Sequence, residues 1–189
     1  KPFELVGATD QNGTTNTDLT NYFQNFPTTA LDIALWMESD RMGFLLPALT
    51  DAKFENQRNV VLNERRQNYE NRPYGFAGMS LVAALYPPAH PYHWMTIGAA
   101  EDLKAARLDD VRAFFQTYYR PRNASLALAG DIDAGRAFAL ATEYFGDLDA
   151  GPEPPPVEAP CPPLAGGTRL VIADRRELAR LDLARPSPA

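Results

Sequence analysis

The feature that most constrains this chain is a long polar segment with a clear boundary at each end, residues 51–71. Thr50 and Asp51 supply the side chains that cap the start of a helix. Pro73 ends the segment, because the residue before a proline disfavours helical dihedral angles. No glycine or proline interrupts the run between them. The pattern therefore predicts one continuous amphipathic helix, which needs other elements against which to pack.

One carboxylate, Glu64, lies on this helix where an apolar residue is expected. Gln57, Val60 and Val61 precede it by seven, four and three residues, and a seven-residue step drifts by only about 20° around a helix. A carboxylate on an apolar face is costly unless it is paired or bound to a metal. Two interpretations stay open: Glu64 pairs with an arginine at the edge of the core, which the residues alone favour, or it binds a metal ion.

The rest of the chain mixes helical and strand-like segments. Asn12 and Gly13 predict a turn or bulge, followed by a strand through about Phe26. Apolar residues that recur at three and four predict several further helices, at 31–46, 74–85, 101–106, 108–119 and 133–145. The lead-in at 1–7 is strand-like, and residues 124–130 predict a buried strand. This order of elements predicts an α+β fold and not a helix bundle.

A change of composition divides the chain near its end. Residues 151–163 contain seven prolines, which predicts a semi-rigid extended linker. We therefore expect a domain at 1–150, a linker at 151–167, and a further piece at 168–189. That piece contains strand-like runs at 168–173 and 178–186. It is either the start of a second, homologous domain or a strand pair that joins the first sheet.

Composition and the remaining motifs exclude several classes of protein. The net charge is −6, from 18 basic and 24 acidic residues, and no basic stripe predicts a nucleic-acid partner. The sequence contains no run of 18 apolar residues, the length that would predict a membrane span. The two histidines, His90 and His93, are three residues apart in a proline-rich loop. They could share a metal, but the prolines prevent a helix there, so packing roles are favoured. No His-x-x-Glu-His sequence is present.

Six segments, taken together and in order, resemble the insulinase/pitrilysin-type zinc metallopeptidases, the inverted zincins, and their bacterial members above all. The resemblance covers most of residues 5–150. The segments are NGTTNTDLTNYFQNFP (12–27), LDIALWMESDRMG (31–43), NQRNVVLNERRQNYENRPYG (56–75), HPYHWMTIGAAEDL (90–103), FFQTYYRPRNASLALAGDID (114–133) and YFGDL (144–148).

The resemblance implies a two-layer fold with a mostly antiparallel sheet and helices on one face, here incomplete. It implies that Glu64 is a zinc ligand and that Gln57 stands behind it, where the family often has an acidic residue. The other ligands, in the His-x-x-Glu-His motif, would fall before Lys1. The family binds peptides as an added strand, and the matching edge is Asn12, Gly13 and Thr14.

We therefore expect a fragment of a zinc-dependent metalloendopeptidase, inactive by itself and binding zinc weakly or not at all. The expected partners are a peptide or protein substrate, the missing family domains or a homologous subunit, and a second copy through self-association. A non-catalytic family subunit that acts in assembly or peptide binding is the alternative. An unrelated α+β binding domain is a third. The compartment stays open, with a preference for the bacterial periplasm or cell envelope.

Overall fold

A computed structural model describes residues 2–163, 166–174 and 178–186. These residues form two compact units, 1–53 with 107–155 and 54–106 with 156–189. The sequence-based boundaries at 150 and 167 stay a prediction. The elements in chain order are α1 (Pro2–Leu5), β1 (Thr9–Thr15), β2 (Thr20–Asn25), α2 (Leu31–Ala48), α3 (Asp51–Arg65), α4 (Ala77–Leu85), α5 (Ala100–Ala105), α6 (Leu108–Tyr118) and α7 (Ala134–Phe145).

The segment at 51–71 is helical throughout, but in two forms. The hydroxyl of Thr50 accepts a hydrogen bond of 3.3 Å from the N–H of Lys53 and caps the start of α3. After Arg65 the helix widens into a π-helix, Arg66–Glu70. There the N–H of Asn71 donates to the carbonyl of Arg66 at 2.8 Å. The predicted helix is therefore confirmed, with its last turn wider than an α-helix.

The first unit contains a hairpin of β1 and β2, which pair antiparallel. The irregularity predicted near Asn12 is present as a register shift between Thr9 and Asn12, where Asp10 has a positive φ of 52°. The chain reverses four residues later. There the side chain of Asn16 accepts hydrogen bonds from the backbone of Asp18 (2.8 Å) and of the residue after it (2.9 Å).

The core of the first unit lies where α2 meets α7. Leu31 and Leu35 of α2 are 3% and 2% exposed, and Leu140 of α7 is 9% exposed. Ala34 and Ala137 are buried too, and their small side chains let the two helices approach. Partly buried residues surround this centre: Phe26, Leu128, Ile132, Tyr144 and Phe145.

The second unit has no comparable apolar centre. Within its described residues His90 alone is buried, at 6% exposure. Its ring lies 4.6 Å from the ring of Tyr86 and 5.3 Å from that of Tyr92, centroid to centroid. Small aromatic contacts and hydrogen bonds therefore hold this unit together, where the first unit has a cluster of leucines.

Several predicted strands are wrong. In the described part of the chain the sheet consists of β1 and β2. Residues 1–7 contain a helical turn, and the runs at 124–130, 168–173 and 178–186 form no strand. Leu126, predicted to be buried, is 50% exposed. Strand-like composition forms a ladder only where a neighbouring strand offers its N–H and C=O groups. The fold class, α+β with a small antiparallel sheet, is as predicted.

Candidate metal centre and peptide-binding edge

Helix α3 has one side that packs on the second unit and one that faces solvent. The packed side is a stripe at helical spacing, made of the partly buried residues Phe54, Arg58, Val61, Leu62 and Arg65. Gln57, Val60 and Glu64 lie beside this stripe and are exposed, with Val60 at 39%. The helix is therefore oriented so that Glu64 faces away from the unit that carries it.

Two arginines one heptad apart fix this orientation. Arg58 donates from Nη2 to the carbonyl of Ala106, and its guanidinium lies 4.6 Å from the ring centroid of Phe54. Arg65 donates from Nε to the carbonyl of Gly98 at 3.2 Å. Hydrogen bonds from a charged donor are stronger than neutral ones. These two contacts, the arginine latches, hold α3 against the 98–106 segment. Glu64 lies about 100° around the helix from Arg65, beside the packed stripe.

The Glu64 carboxylate has no hydrogen bond or ion pair with any residue that the structure describes. The premise that Glu64 lies on a buried apolar face is therefore wrong, while its role as a metal ligand stays a prediction. The side chain is exposed together with Val60, and it has no arginine partner among the residues that the structure describes. The neighbouring arginines are engaged elsewhere, Arg65 with Glu70 and Arg66 with Asn63 at 2.8 Å. Glu64 presents an unengaged carboxylate on the surface.

These residues do not fit a complete zinc centre. Among residues 2–163, 166–174 and 178–186, no three His, Cys, Asp or Glu side chains are grouped so that they could hold a metal ion. Zinc sites in proteins take three or four protein ligands, and Glu64 supplies one. The amide of Gln57 also has no hydrogen-bond partner among the described residues. The roles of Glu64 as a ligand and Gln57 behind it stay predictions that rest on the family resemblance.

The two histidines have packing roles, as the residues favoured. His90 accepts a hydrogen bond of 3.0 Å at Nδ1 from the N–H of Tyr92 and so caps the short 3₁₀ turn Pro91–His93. His93 places Nδ1 at 2.6 Å from the carbonyl of Tyr86. Nδ1 of each ring therefore contacts a backbone group of its own loop.

The predicted peptide-binding residues, Asn12, Gly13 and Thr14, lie in the middle of β1 and are all exposed. Their pairs on β2 are Phe23, Tyr22 and Asn21. Backbone groups of an antiparallel strand point alternately toward and away from the partner. Because Asn16 closes the hairpin with a bond to Leu19, the alternation directs the backbone of Gly13 to the open edge. Its N–H donates to the side chain of Asn12 at 2.8 Å.

An aromatic and charged cluster behind this edge was not predicted. The hydroxyl of Tyr22 lies 3.1 Å from that of Tyr119, and the guanidinium of Arg41 lies 3.8 Å from the Tyr22 ring centroid. Burial, followed by the hydrogen bond to Tyr119, raises the pKa of Tyr22 to about 12. Arg41 forms its ion pair with Glu38 on the same helix. It forms none with Asp40, the residue before it in the sequence. Residues 97 positions apart give no local pattern, so no sequence signal pointed to the tyrosine pair.

Similarity to known proteins supports the resemblance seen in the sequence. Residues 105–189 match the family described as Peptidase M16 inactive domain. The chain is 34% identical over 137 residues to the zinc protease PqqE of Helicobacter pylori, covering 72% of this chain and 30% of that protein. It is 25% identical over 148 residues to the mitochondrial-processing peptidase subunit beta of Caenorhabditis elegans, covering 78% and 31%.

A solved structure, a protease from Helicobacter pylori, superposes with a TM-score of 0.72 at 28% identity, covering 84% of this chain and 37% of that one. The fold and the matches define the class, an α+β segment of a peptidase-family protein. The chain belongs to the insulinase-type, or M16, peptidase family. It spans about a third of the length of the relatives it matches. No helix in the described residues has the length and apolar character to cross a membrane.

Proposed function

We propose that this chain is part of a zinc-dependent metalloendopeptidase, in which Glu64 is one of three zinc ligands. The observation that carries the proposal is the exposed carboxylate of Glu64, which has no hydrogen bond or ion pair among the described residues, on a helix held in place by Arg58 and Arg65. A surface carboxylate with no partner is free to bind a cation. The name of the PqqE relative, a zinc protease, supports the choice of metal. Two histidines of a His-x-x-Glu-His motif outside these 189 residues would complete the ligand set.

The peptide substrate would bind along the open edge of β1. The exposed backbone at Gly13 offers a strand edge of the kind on which extended peptides add as a further strand. Asn12 and Thr14 flank that position, and the side chain of Thr14 donates to the side chain of Asn21 on β2. The edge is therefore already fixed in extended form before a peptide arrives, which reduces the entropy lost on binding.

The partners follow from the ligand count. One zinc ligand cannot form the site, so the chain alone is expected to be inactive and to bind zinc weakly. Further domains of a longer protein, or a homologous subunit, would supply the rest. The relative named as subunit beta supports a subunit arrangement. Exposed aromatic residues on α2, Trp36 at 51% and Phe44 at 61%, support self-association when those parts are missing.

The test is the Glu64→Gln variant of the longer protein. We expect the zinc affinity of this variant to be at least 10-fold lower, because an amide is a poorer metal ligand than a carboxylate. We also expect peptide hydrolysis to be lost. Glu101→Gln is the control, since Glu101 is an exposed carboxylate at the start of α5. Zinc content by atomic emission and cleavage of a fluorogenic peptide are measured on both. Full zinc occupancy in Glu64→Gln would refute the ligand role.

A second candidate is a non-catalytic subunit or domain that binds peptide or supports assembly. The match of residues 105–189 to a family described as inactive favours it. On this alternative the peptide edge is used and Glu64 is not. Two results together would favour this candidate over the first. The longer protein would hold no zinc, and its Glu64→Gln variant would bind peptide with unchanged affinity.

A further inference from the structure

An open groove runs along one face of the hairpin in the first unit, against helix α2. Its volume is about 510 Å³. The hairpin contributes Asn12, Gly13 and Tyr22, and α2 contributes an apolar wall with two charged residues at its side. The lining on α2 is Met37, Asp40, Arg41, Phe44 and Leu45. The groove therefore begins at the same strand edge that we propose binds the peptide backbone.

The groove is open at Gly13 because glycine has no side chain. A Cβ at Gly13 would lie 3.0 Å and 3.1 Å from two carbons of the Tyr22 ring. The ring occupies the α2 side of the hairpin, since Arg41 of α2 stacks on it. A strand added beside β1 directs alternate side chains to that same side. The peptide residue that lies next to Gly13 can therefore place its side chain in the groove.

The charges of the lining determine which side chain fits. The charge of Arg41 is balanced by Glu38. The Nη1 atom of Arg41 has no hydrogen-bond partner among the described residues, but it is buried from solvent. Asp40 is exposed and has no hydrogen-bond or ion-pair partner among the described residues. An anionic side chain would face the exposed Asp40, while the unpaired Nη1 atom of Arg41 is buried and the guanidinium is already paired with Glu38. A long side chain with an apolar stem and a terminal cation complements both Asp40 and the wall of Phe44 and Leu45.

We propose that this groove is a specificity subsite for a lysine or arginine side chain of the bound peptide, with Asp40 as its charge partner. The proposal rests on the proposed binding of peptide along β1. It adds the class of residue that the peptide must carry at one position. Asp40 determines which peptide side chain is preferred at this position, and this role does not depend on zinc binding by Glu64.

The experiment measures binding of short extended peptides to the full 189-residue chain by fluorescence anisotropy. One residue, placed at each position in turn, is lysine, norleucine or glutamate; norleucine has the same stem without the charge. At one position we expect lysine to bind about three- to fivefold more tightly than norleucine, the gain of a partly exposed ion pair. Glutamate should bind more weakly than norleucine at that position, and the lysine preference should shrink at high salt.

Two aspartate variants give the decisive comparison. Asp40→Asn should reduce the affinity for the lysine peptide to that for the norleucine peptide, and Asp40→Lys should favour glutamate. Asp131→Asn, at an exposed aspartate of the first unit outside the groove, should keep the lysine preference. A preference that survives in Asp40→Asn, or norleucine binding equal to lysine at all positions, overturns the subsite and leaves the strand edge standing. If no peptide binds, the subsite and the peptide-binding edge are both overturned. The zinc measurement on Glu64→Gln tests the ligand role separately.

Discussion

The two units of this chain are stabilised by different interactions. The first unit buries leucines of α2 and α7 against one another, and its described residues include all eight buried apolar side chains. The second unit buries one histidine and holds its longest helix by arginine hydrogen bonds to backbone carbonyls. A leucine core tolerates few changes of volume. The arginine hydrogen bonds of the second unit can be lost one at a time, and each contributes less to the free energy of unfolding than a buried leucine does.

The difference matches the roles proposed for the units. The first unit presents a strand edge and a groove, which need a rigid base for a peptide to pair in one register. The second unit presents a single carboxylate, whose position depends on the rotation of α3. The apolar core keeps the edge in place, and the arginine latches set the direction of Glu64. The following predictions test this division, starting from the largest expected effect.

The first prediction concerns the leucine core. Leu35→Ala should lower the free energy of unfolding by about 2–5 kcal/mol, the usual cost of removing a buried leucine side chain. Leu35 is 2% exposed. Leu5→Ala, at a leucine 87% exposed in the same unit, should change it by less than about 0.5 kcal/mol. Urea unfolding followed by circular dichroism measures both. Equal effects of the two variants would contradict a leucine core in the first unit.

The second prediction concerns two glycines of the second unit that differ only in their surroundings. A Cβ at Gly75 would overlap the backbone carbonyl of Tyr69, and a Cβ at Gly78 would meet nothing within 4 Å. Gly75→Ala should destabilise by about 3 kcal/mol through backbone displacement. Gly78→Ala, inside α4, should stabilise by about 0.5–1 kcal/mol because alanine favours the helix. Thermal unfolding of the two variants gives opposite signs if the close approach at Tyr69 is correct.

The third prediction concerns the latches on α3. Arg65→Ala removes the hydrogen bond to Gly98 and the ion pair with Glu70. It should cost about 1–3 kcal/mol, because a carbonyl and a carboxylate lose a charged donor. Arg66→Ala removes one contact at an exposed arginine and should cost under about 0.5 kcal/mol. Hydrogen exchange of the α3 amides locates the effect. Unchanged exchange in Arg65→Ala would contradict the latch.

The fourth prediction concerns pH in the first unit. Burial and the hydrogen bond to Tyr119 raise the pKa of Tyr22 to about 12, from the ordinary tyrosine value of about 10. The folded state therefore holds the Tyr22 proton more tightly than the unfolded state does. The resulting stabilisation is complete below pH 10 and is lost as pH rises from 10 to 12. Absorbance titration should show one late-ionising tyrosine that is missing in Tyr22→Phe. An unchanged titration curve in that variant would refute the assignment.

Local signals predicted the helices well, for reasons visible in single residues. Thr50 and Pro73 flank the 51–71 segment in the sequence, so its bounds needed no tertiary information. The strands at 124–130 and 168–173 were wrong because pairing depends on a second strand that the sequence of the first does not specify. Asn12 was placed correctly at an irregularity, while the reversal itself depends on the side chain of Asn16.

The sequence by itself determined the helical segments, the α+β class and the membership of a peptidase family, because caps, periodicity and ordered motifs are local properties of the chain. The tertiary structure alone decided what surrounds Glu64. Periodicity gives the residues that share a helix face, but it does not give which face is covered. The latches from Arg58 and Arg65 to carbonyls more than thirty residues away made that choice, and they left Glu64 on the exposed side.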